Sequence, residues 1–250
     1  MLRKSVFIVG VFALFFAFSA TAQTVDELIA KNTEARGGLD KVKAIQSVKI
    51  SGRSMMGGGM EAPFVLQIKR PGLARLDVTI QGKTLVQAYD GEAGWQIIPF
   101  MGSTDPEKMP EEELKQWKEQ SDLDGPLVDY KAKGHTVELM GKEDLEGSPA
   151  YKLKLTLKDG DMKYVYVDAE NYLTLKETTK TKREGTEIEV DSYFGDFKPV
   201  EGVMFPHSID NRVQGNSVGQ MVVDKIEVGA AMDDGIFKMP PKAAPAEPAK

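Results

Sequence analysis

The chain has no cysteine, and only two histidines and two tryptophans among its 250 residues. Without cysteine there can be no disulfide, which excludes the small stapled scaffolds of secreted proteins. There is also no thiol at which a bacterial lipoprotein would be acylated. Catalytic signatures are few: no H-E-x-x-H and no P-loop occurs. His135 and His207 lie far apart, each beside a strand start (KGHTVEL, FPHSID), where a partly exposed structural histidine is the plainer reading. The acids are scattered along wet strand faces and loops; a glycosidase-type pair would meet only in space, and two tryptophans are few for an aromatic sugar cleft. Met55, Met56 and Met60 flank a triple-glycine turn. Thioethers can hold Cu(I), but no histidine stands near them, so they read as gap-filling apolar residues. No enzymatic activity, metal or cofactor is expected. A basic excess is absent as well: 32 Lys and Arg stand against 38 Asp and Glu, a balance that argues against nucleic acid and against anionic head groups.

Long apolar runs are lacking except for one at the start. Arg3 and Lys4 precede Val6–Phe18 (VFIVGVFALFFAF), and Ala20-Thr21-Ala22 offers small residues before Gln23. This is the pattern of a secretory signal cut between Ala22 and Gln23, and the run is too short and wrongly flanked for a retained anchor. Loss of residues 1–22 removes two basic residues and no acid, which takes the net charge from −6 to −8. The expectation is a soluble protein outside the cytoplasm, where ATP and nicotinamide cofactors are scarce. Residues 23–239 read as one domain, large enough for a substantial core. The remainder, 240–250 (PPKAAPAEPAK), has nothing apolar to bury and reads as a disordered tail.

What is present is mostly a period of two. Val48 and Ile50 share a face; Phe64, Leu66 and Ile68 alternate with polar or small neighbours; so do Leu76, Val78 and Ile80, and later Leu153, Leu155 and Leu157. Such alternation marks strands with one apolar and one wet face. Pro71-Gly72, Gln81-Gly82, Asp90-Gly91, Asp159-Gly160 and Glu184-Gly185 supply the turns. Ten or eleven strands emerge, mostly in meander order, and a sheet of that size tends to curl. Helical patterns are few. Thr24 and Glu27 make a capping box ahead of Val25, Leu28 and Ile29, and Gly37-Gly38 ends that helix. A short helix is expected over Asp40–Ile45. Another is expected over Glu111–Gln120, opened by Pro110 and early acids, with Leu114 and Trp117 on one face.

Several motifs, taken in order, carry a resemblance. Lys69-Arg70-Pro71-Gly72-Leu73 closes an alternating strand; Tyr89-Asp90-Gly91 and Trp95 follow, then Pro99-Phe100; Ile236-Phe237-Lys238-Met239-Pro240-Pro241 stands near the end. This order resembles the LolA family of periplasmic lipoprotein carriers. In that family a strand ends in K-R-P-x-L, an Asp-Gly turn precedes a strand with an aromatic residue, a Pro-Phe pair follows, and the chain finishes in F-x-x-x-P-P. The resemblance covers most of the chain in layout, and residues 64–100 and 233–241 in identity. Ala74, Arg75 and Asp77 depart from the pattern, since the carriers are often aromatic or apolar there.

The resemblance implies a mainly β (α+β) fold: an unclosed antiparallel barrel of about eleven strands, with helices packed as a lid on the concave face. It implies acyl chains of lipids or lipoproteins bound between sheet and helices. It assigns gating to Arg70, whose guanidinium would bond backbone carbonyls of the lid helices and hold the empty cavity shut. It marks Leu66, Ile68, Pro71, Leu76, Val78, Trp95, Phe100, Met101, Leu114 and Trp117 for ligand contact or gating. The partners it implies are an inner-membrane donor and an outer-membrane acceptor, met by a monomeric carrier in the periplasm. A sensor or scaffold that binds an envelope protein or a lipid signal without transporting it is the alternative.

Overall fold

The protein is described from a computed structural model covering residues 23–56, 59–102, 104–183 and 186–242. The expected leader, 1–22, lies outside the described residues, as does all of the expected tail beyond Lys242. Among the described residues no helix is long and apolar enough to cross a membrane.

Thr24 caps the first helix as its sequence requires. Its hydroxyl accepts from the Glu27 amide at 3.2 Å, and its own amide donates to the Glu27 carboxylate at 2.9 Å. That helix, α1, runs Val25–Ala35, and α2 runs Leu39–Ala44, one residue earlier at each end than the sequence suggests. Between them Gly37 has φ +121°, and a side chain there would meet the Gly202 carbonyl at 2.2 Å, so only glycine permits this turn.

Fifteen strands follow: β1 Ser47–Met56, β2 Met60–Lys69, β3 Leu73–Ile80, β4 Lys83–Tyr89, β5 Gly94–Ile97, β6 Glu107–Lys108, β7 Thr136–Leu145, β8 Ser148–Thr156, β9 Met162–Asp168, β10 Thr174–Arg183, β11 Thr186–Gly195, β12 Lys198–Val200, β13 Val203–Phe205, β14 Ser208–Val213 and β15 Asn216–Val228. Helix α3, Glu111–Gln120, sits between β6 and β7, where the sequence places it. Thirteen strands form one open antiparallel sheet in the order β6-β5-β4-β3-β2-β1-β15-β14-β11-β10-β9-β8-β7; β12 and β13 make a separate hairpin. The count exceeds the expected eleven because β5, β6, β12 and β13 hold only two to four residues each, too few to show a period.

The sheet is two meanders joined where the first strand pairs with the last, β1 with β15. Its free edges are β6 and β7, and the chain linking them carries α3, so this connection bridges the gap that the sheet leaves open. Register puts all helices on one face, here called the inner face. Leu28 and Ile29 of α1 pack on Leu153, Leu155, Val165 and Val167 of β8 and β9. Val42 of α2, with Ile45 and Val203, packs on Val48, Phe64, Val223 and Ile226. Trp117 of α3 packs on Ala74 and Tyr89 beside Met109. Gly94 allows this seat, because a Cβ there would strike Met109 Sδ at 2.8 Å and Leu114 Cδ1 at 2.9 Å.

The outer face has its own cover. The 3₁₀ turn Asp234–Phe237 lies across it, with Phe237 fully buried. Lys69 Nζ donates to the Met232 carbonyl, Arg75 to that of Ile236, and Trp95 Nε1 to that of Phe237, at 2.9, 2.7 and 2.6 Å. Here the structure also differs on His207. It is buried: Nδ1 lies 3.1 Å from the Phe205 carbonyl, its amide donates to the Gly195 and Asp196 carbonyls at 3.1 Å, and its own carbonyl accepts from the Val223 amide of β15.

Candidate functional site: a latched roof over an apolar inner face

Arg70 follows directly on the last residue of β2, where the inner face meets the roof. Its Nε donates to the Ile45 carbonyl at 2.7 Å and one terminal nitrogen to the Val42 carbonyl at 3.3 Å, so it holds the C-terminal end of α2, whose last carbonyls lack helical partners. The same guanidinium grips Asp124, in the segment after α3, through two hydrogen bonds of 3.2 and 2.5 Å. Both side chains are largely shielded, 25% and 15% exposed, so solvent screens this pair less than a surface one. Burial pushes the Asp124 carboxyl up, but the hydrogen bond and charge of Arg70 outweigh it and hold the group below its ordinary value.

Further ties converge on the same segment. Arg36, just past α1, donates to the Asp124 carbonyl at 2.8 Å. Lys133 bonds the Asp122 carboxylate and the Gly125 carbonyl, and Lys43 of α2 pairs with Asp129. α3 is fixed to both meanders: Gln87 of β4 donates to Glu113 at 3.3 Å, while Lys163 of β9 pairs with Glu119. One segment thus ties together α1, α2, α3 and the end of β2, and Arg70 is the member anchored in the sheet.

Under this roof the inner face is apolar and incompletely covered. Ile50, Leu66, Ile68, Leu76, Val78, Ile80 and Leu85 are all only partly buried. A cleft of about 600 Å³ opens beside the latch, lined by Arg70, Pro71, Leu73, Tyr89, Lys118 and Leu123 among others. A second, of about 460 Å³, lies between α1 and residues 127–132.

The described chain aligns with a protein domain described as outer membrane lipoprotein-sorting from Vibrio parahaemolyticus at TM-score 0.57 and 11% identity, covering 84% of this chain and 94% of that one. It aligns with a LolA superfamily protein from Nitrosomonas europaea at TM-score 0.56 and 15% identity, covering 87% and 98%. The fold is LolA-like. A DUF1329 family protein from Desulfovibrio piger shares it at TM-score 0.55 and 13% identity, over 87% and 98% of the two chains. No protein-family model and no curated protein sequence matches the chain.

Within the LolA-like frame the residues singled out by sequence divide into groups. Leu66, Ile68, Leu76, Leu114 and Trp117 meet in one cluster under α3. Val78 lies on the same inner face, in the cluster under α2. Arg70 and Pro71 border the cleft at the latch. Trp95 stands apart: it pairs with Ala88, opposite Arg75, on the outer face, where Arg75 lies 5.8 Å from its ring centroid and Phe237 covers it. The period of two carries that information once register is known, since Trp95 and Gly94 must point to opposite faces. Phe100 is 45% exposed on the 3₁₀ turn Pro99–Met101, away from the roof; the side chain of Met101 lies outside the described residues. Sequence reasoning missed Asp124 and Arg36. Neither belongs to a motif, and only the fold brings them to Arg70.

Proposed function

We propose that this protein is a non-enzymatic carrier that shelters the acyl chains of a lipid or lipoprotein between the inner face of its sheet and a movable roof. The observation that carries this reading is the Arg70 fork, which ties α2 and the segment after α3 to the end of β2 above partly buried apolar residues. The expected leader supports a periplasmic place of work, with membrane-bound donor and acceptor proteins on either side.

An acyl chain gains about 0.8 kcal/mol for each methylene taken out of water. A chain of about sixteen carbons could gain on the order of 10 kcal/mol before costs, which would make a rigid open pocket a trap. A roof whose own side chains occupy the apolar face when no ligand is present moderates this, because the ligand then displaces protein contacts as well as water. Leu114 and Trp117, packed on Ala74 and Tyr89, are placed for that task.

The test is uptake of a fluorescent fatty acyl probe. Saturable binding at micromolar probe is expected, and Arg70→Leu is expected to release the probe about tenfold more slowly, since about 1.4 kcal/mol of roof-closing energy is lost. No uptake by the wild type, with a stoichiometric protein partner recovered from the cell envelope instead, would replace the carrier by a scaffold.

A further inference from the structure

The inner face of the second meander is not uniformly apolar. A row directly across β9, β10, β11, β14 and β15 reads Val165, Glu177, Ser192, Asn211, Gly219, each residue opposite the next. Apolar residues flank it along the strands: Phe194, Ile209 and Met221 on one side, Val190 and Val213 on the other. On that second side the row continues through Thr179 of β10 to Lys163 of β9. Three polar side chains thus form a band between largely apolar rows, where unmatched polar groups are costly.

The band is only half matched by the protein. Ser192 Oγ donates to Asn211 Oδ1 at 2.7 Å, which engages the amide oxygen and leaves the Asn211 NH₂ with no hydrogen bond to a described residue. Glu177 makes no hydrogen bond or ion pair to a described residue; the charges that act on it are Lys163, the Glu119 carboxylate with which Lys163 is paired, and Arg36. Glu177, Ser192 and Asn211 are all only partly buried. Burial pushes its carboxyl up, towards the neutral form that donates a proton. At the far end of the row, a side chain built on Gly219 would meet nothing within 4 Å, so the space beside Asn211 is open.

We propose that Glu177, Ser192 and Asn211 form an internal polar subsite that receives the carbonyl of an acyl ester or amide linkage, while the hydrocarbon lies along the apolar inner face. Asn211 presents a donor, Glu177 presents a second in its neutral form, and a carbonyl oxygen has two lone pairs to accept them. This rests on the carrier reading and narrows its ligand from any hydrocarbon to acyl chains joined through a carbonyl.

The experiment compares monopalmitoylglycerol with its hexadecyl ether, which has the same tail and glycerol but no carbonyl, each displacing a fluorescent fatty acyl probe. The wild type is expected to favour the ester about tenfold, the worth of one to two neutral hydrogen bonds. Glu177→Leu and Asn211→Leu should each reduce that preference severalfold while leaving ether binding equal or tighter. Glu177→Gln, which keeps a donor, should retain it. Thermal unfolding of each variant establishes that it is folded, and replacing a buried carboxyl by leucine is compatible with that. Equal binding of ester and ether by the wild type, or a preference that survives both leucine variants, would overturn the subsite and leave the carrier intact. Tighter binding of hexadecylamine than of the ester, lost in Glu177→Gln, would overturn it in favour of an ionised carboxylate holding a cation. If neither ester nor ether displaces the probe, or the probe itself does not bind, the carrier reading falls and the subsite with it.

Discussion

The two meanders share a backbone plan and differ in what faces inward. In the first, β1–β6, the inner face under the roof is dominated by apolar side chains, and α2 and α3 press Val42, Ile45 and Trp117 onto it. In the second, α1 seals the β8–β9 side, but β10, β11 and β14 carry the Glu177–Ser192–Asn211 band, with the charges of Glu119 and Arg36 acting on Glu177 from the roof. The first half is largely filled by the protein's own side chains. The second keeps room and hydrogen-bonding capacity that the protein leaves unused. A purely structural core would show the first pattern throughout, because buried polar groups are stabilising only when paired.

The largest effect should come from emptying the first half. Trp117→Ala removes the side chain that joins α3 to Ala74 and Tyr89, and is expected to cost about 3–5 kcal/mol in urea unfolding while tightening binding of an acyl probe. Loss of stability with unchanged probe affinity would make α3 permanent core and erase the contrast between the halves.

Next is the latch. Arg70→Leu strands the Asp124 carboxylate and two α2 carbonyls, and about 2 kcal/mol of stability should be lost. Adding Asp124→Leu should recover part of it, since the stranded charge is then gone. The Asp124 carboxyl is depressed in the folded protein. Its contribution is therefore complete above the unfolded value of about 3.9 and disappears as pH falls through the lower folded value. A wild-type advantage over Arg70→Leu that fades already between about pH 7 and 5 would place the titrating group elsewhere.

The second half should respond in the opposite pH direction. Folded protein keeps a proton on Glu177 that the unfolded chain releases above about pH 4.3, so stability declines as pH rises from there towards the raised folded value. Glu177→Gln removes that slope. It should melt higher than the wild type at about pH 8 and equally at about pH 4, and parallel melting curves at both would show that the carboxyl is not buried as described. The smallest effect belongs to the outer face. Trp95→Phe deletes the bond to the Phe237 carbonyl, should cost about 1 kcal/mol, and should leave probe binding unchanged. Altered probe binding would return Trp95 to the ligand path.

Much of this was written in the chain. The capping box at Thr24, the limits of α3 and the long alternating strands are local features, set by periods of two and 3.6 and by turn chemistry within a few residues. The same alternation named Leu66, Ile68, Leu76 and Val78 as one apolar set. Local reading faltered where the determining neighbour is remote. Trp95 looked like a cavity residue until register turned it outward, His207 read as a partly exposed structural histidine and is buried, and the shortest strands carry no period at all.

Sequence alone thus determined the elements and their amphipathic faces, because those follow from interactions between near neighbours. Only the tertiary structure decided which face of each strand turns inward, that Asp124 meets Arg70 across 54 positions, and that Glu177, Ser192 and Asn211 align in one row. Such pairings are fixed by strand register and chain crossing, and these depend on the packing of the whole sheet.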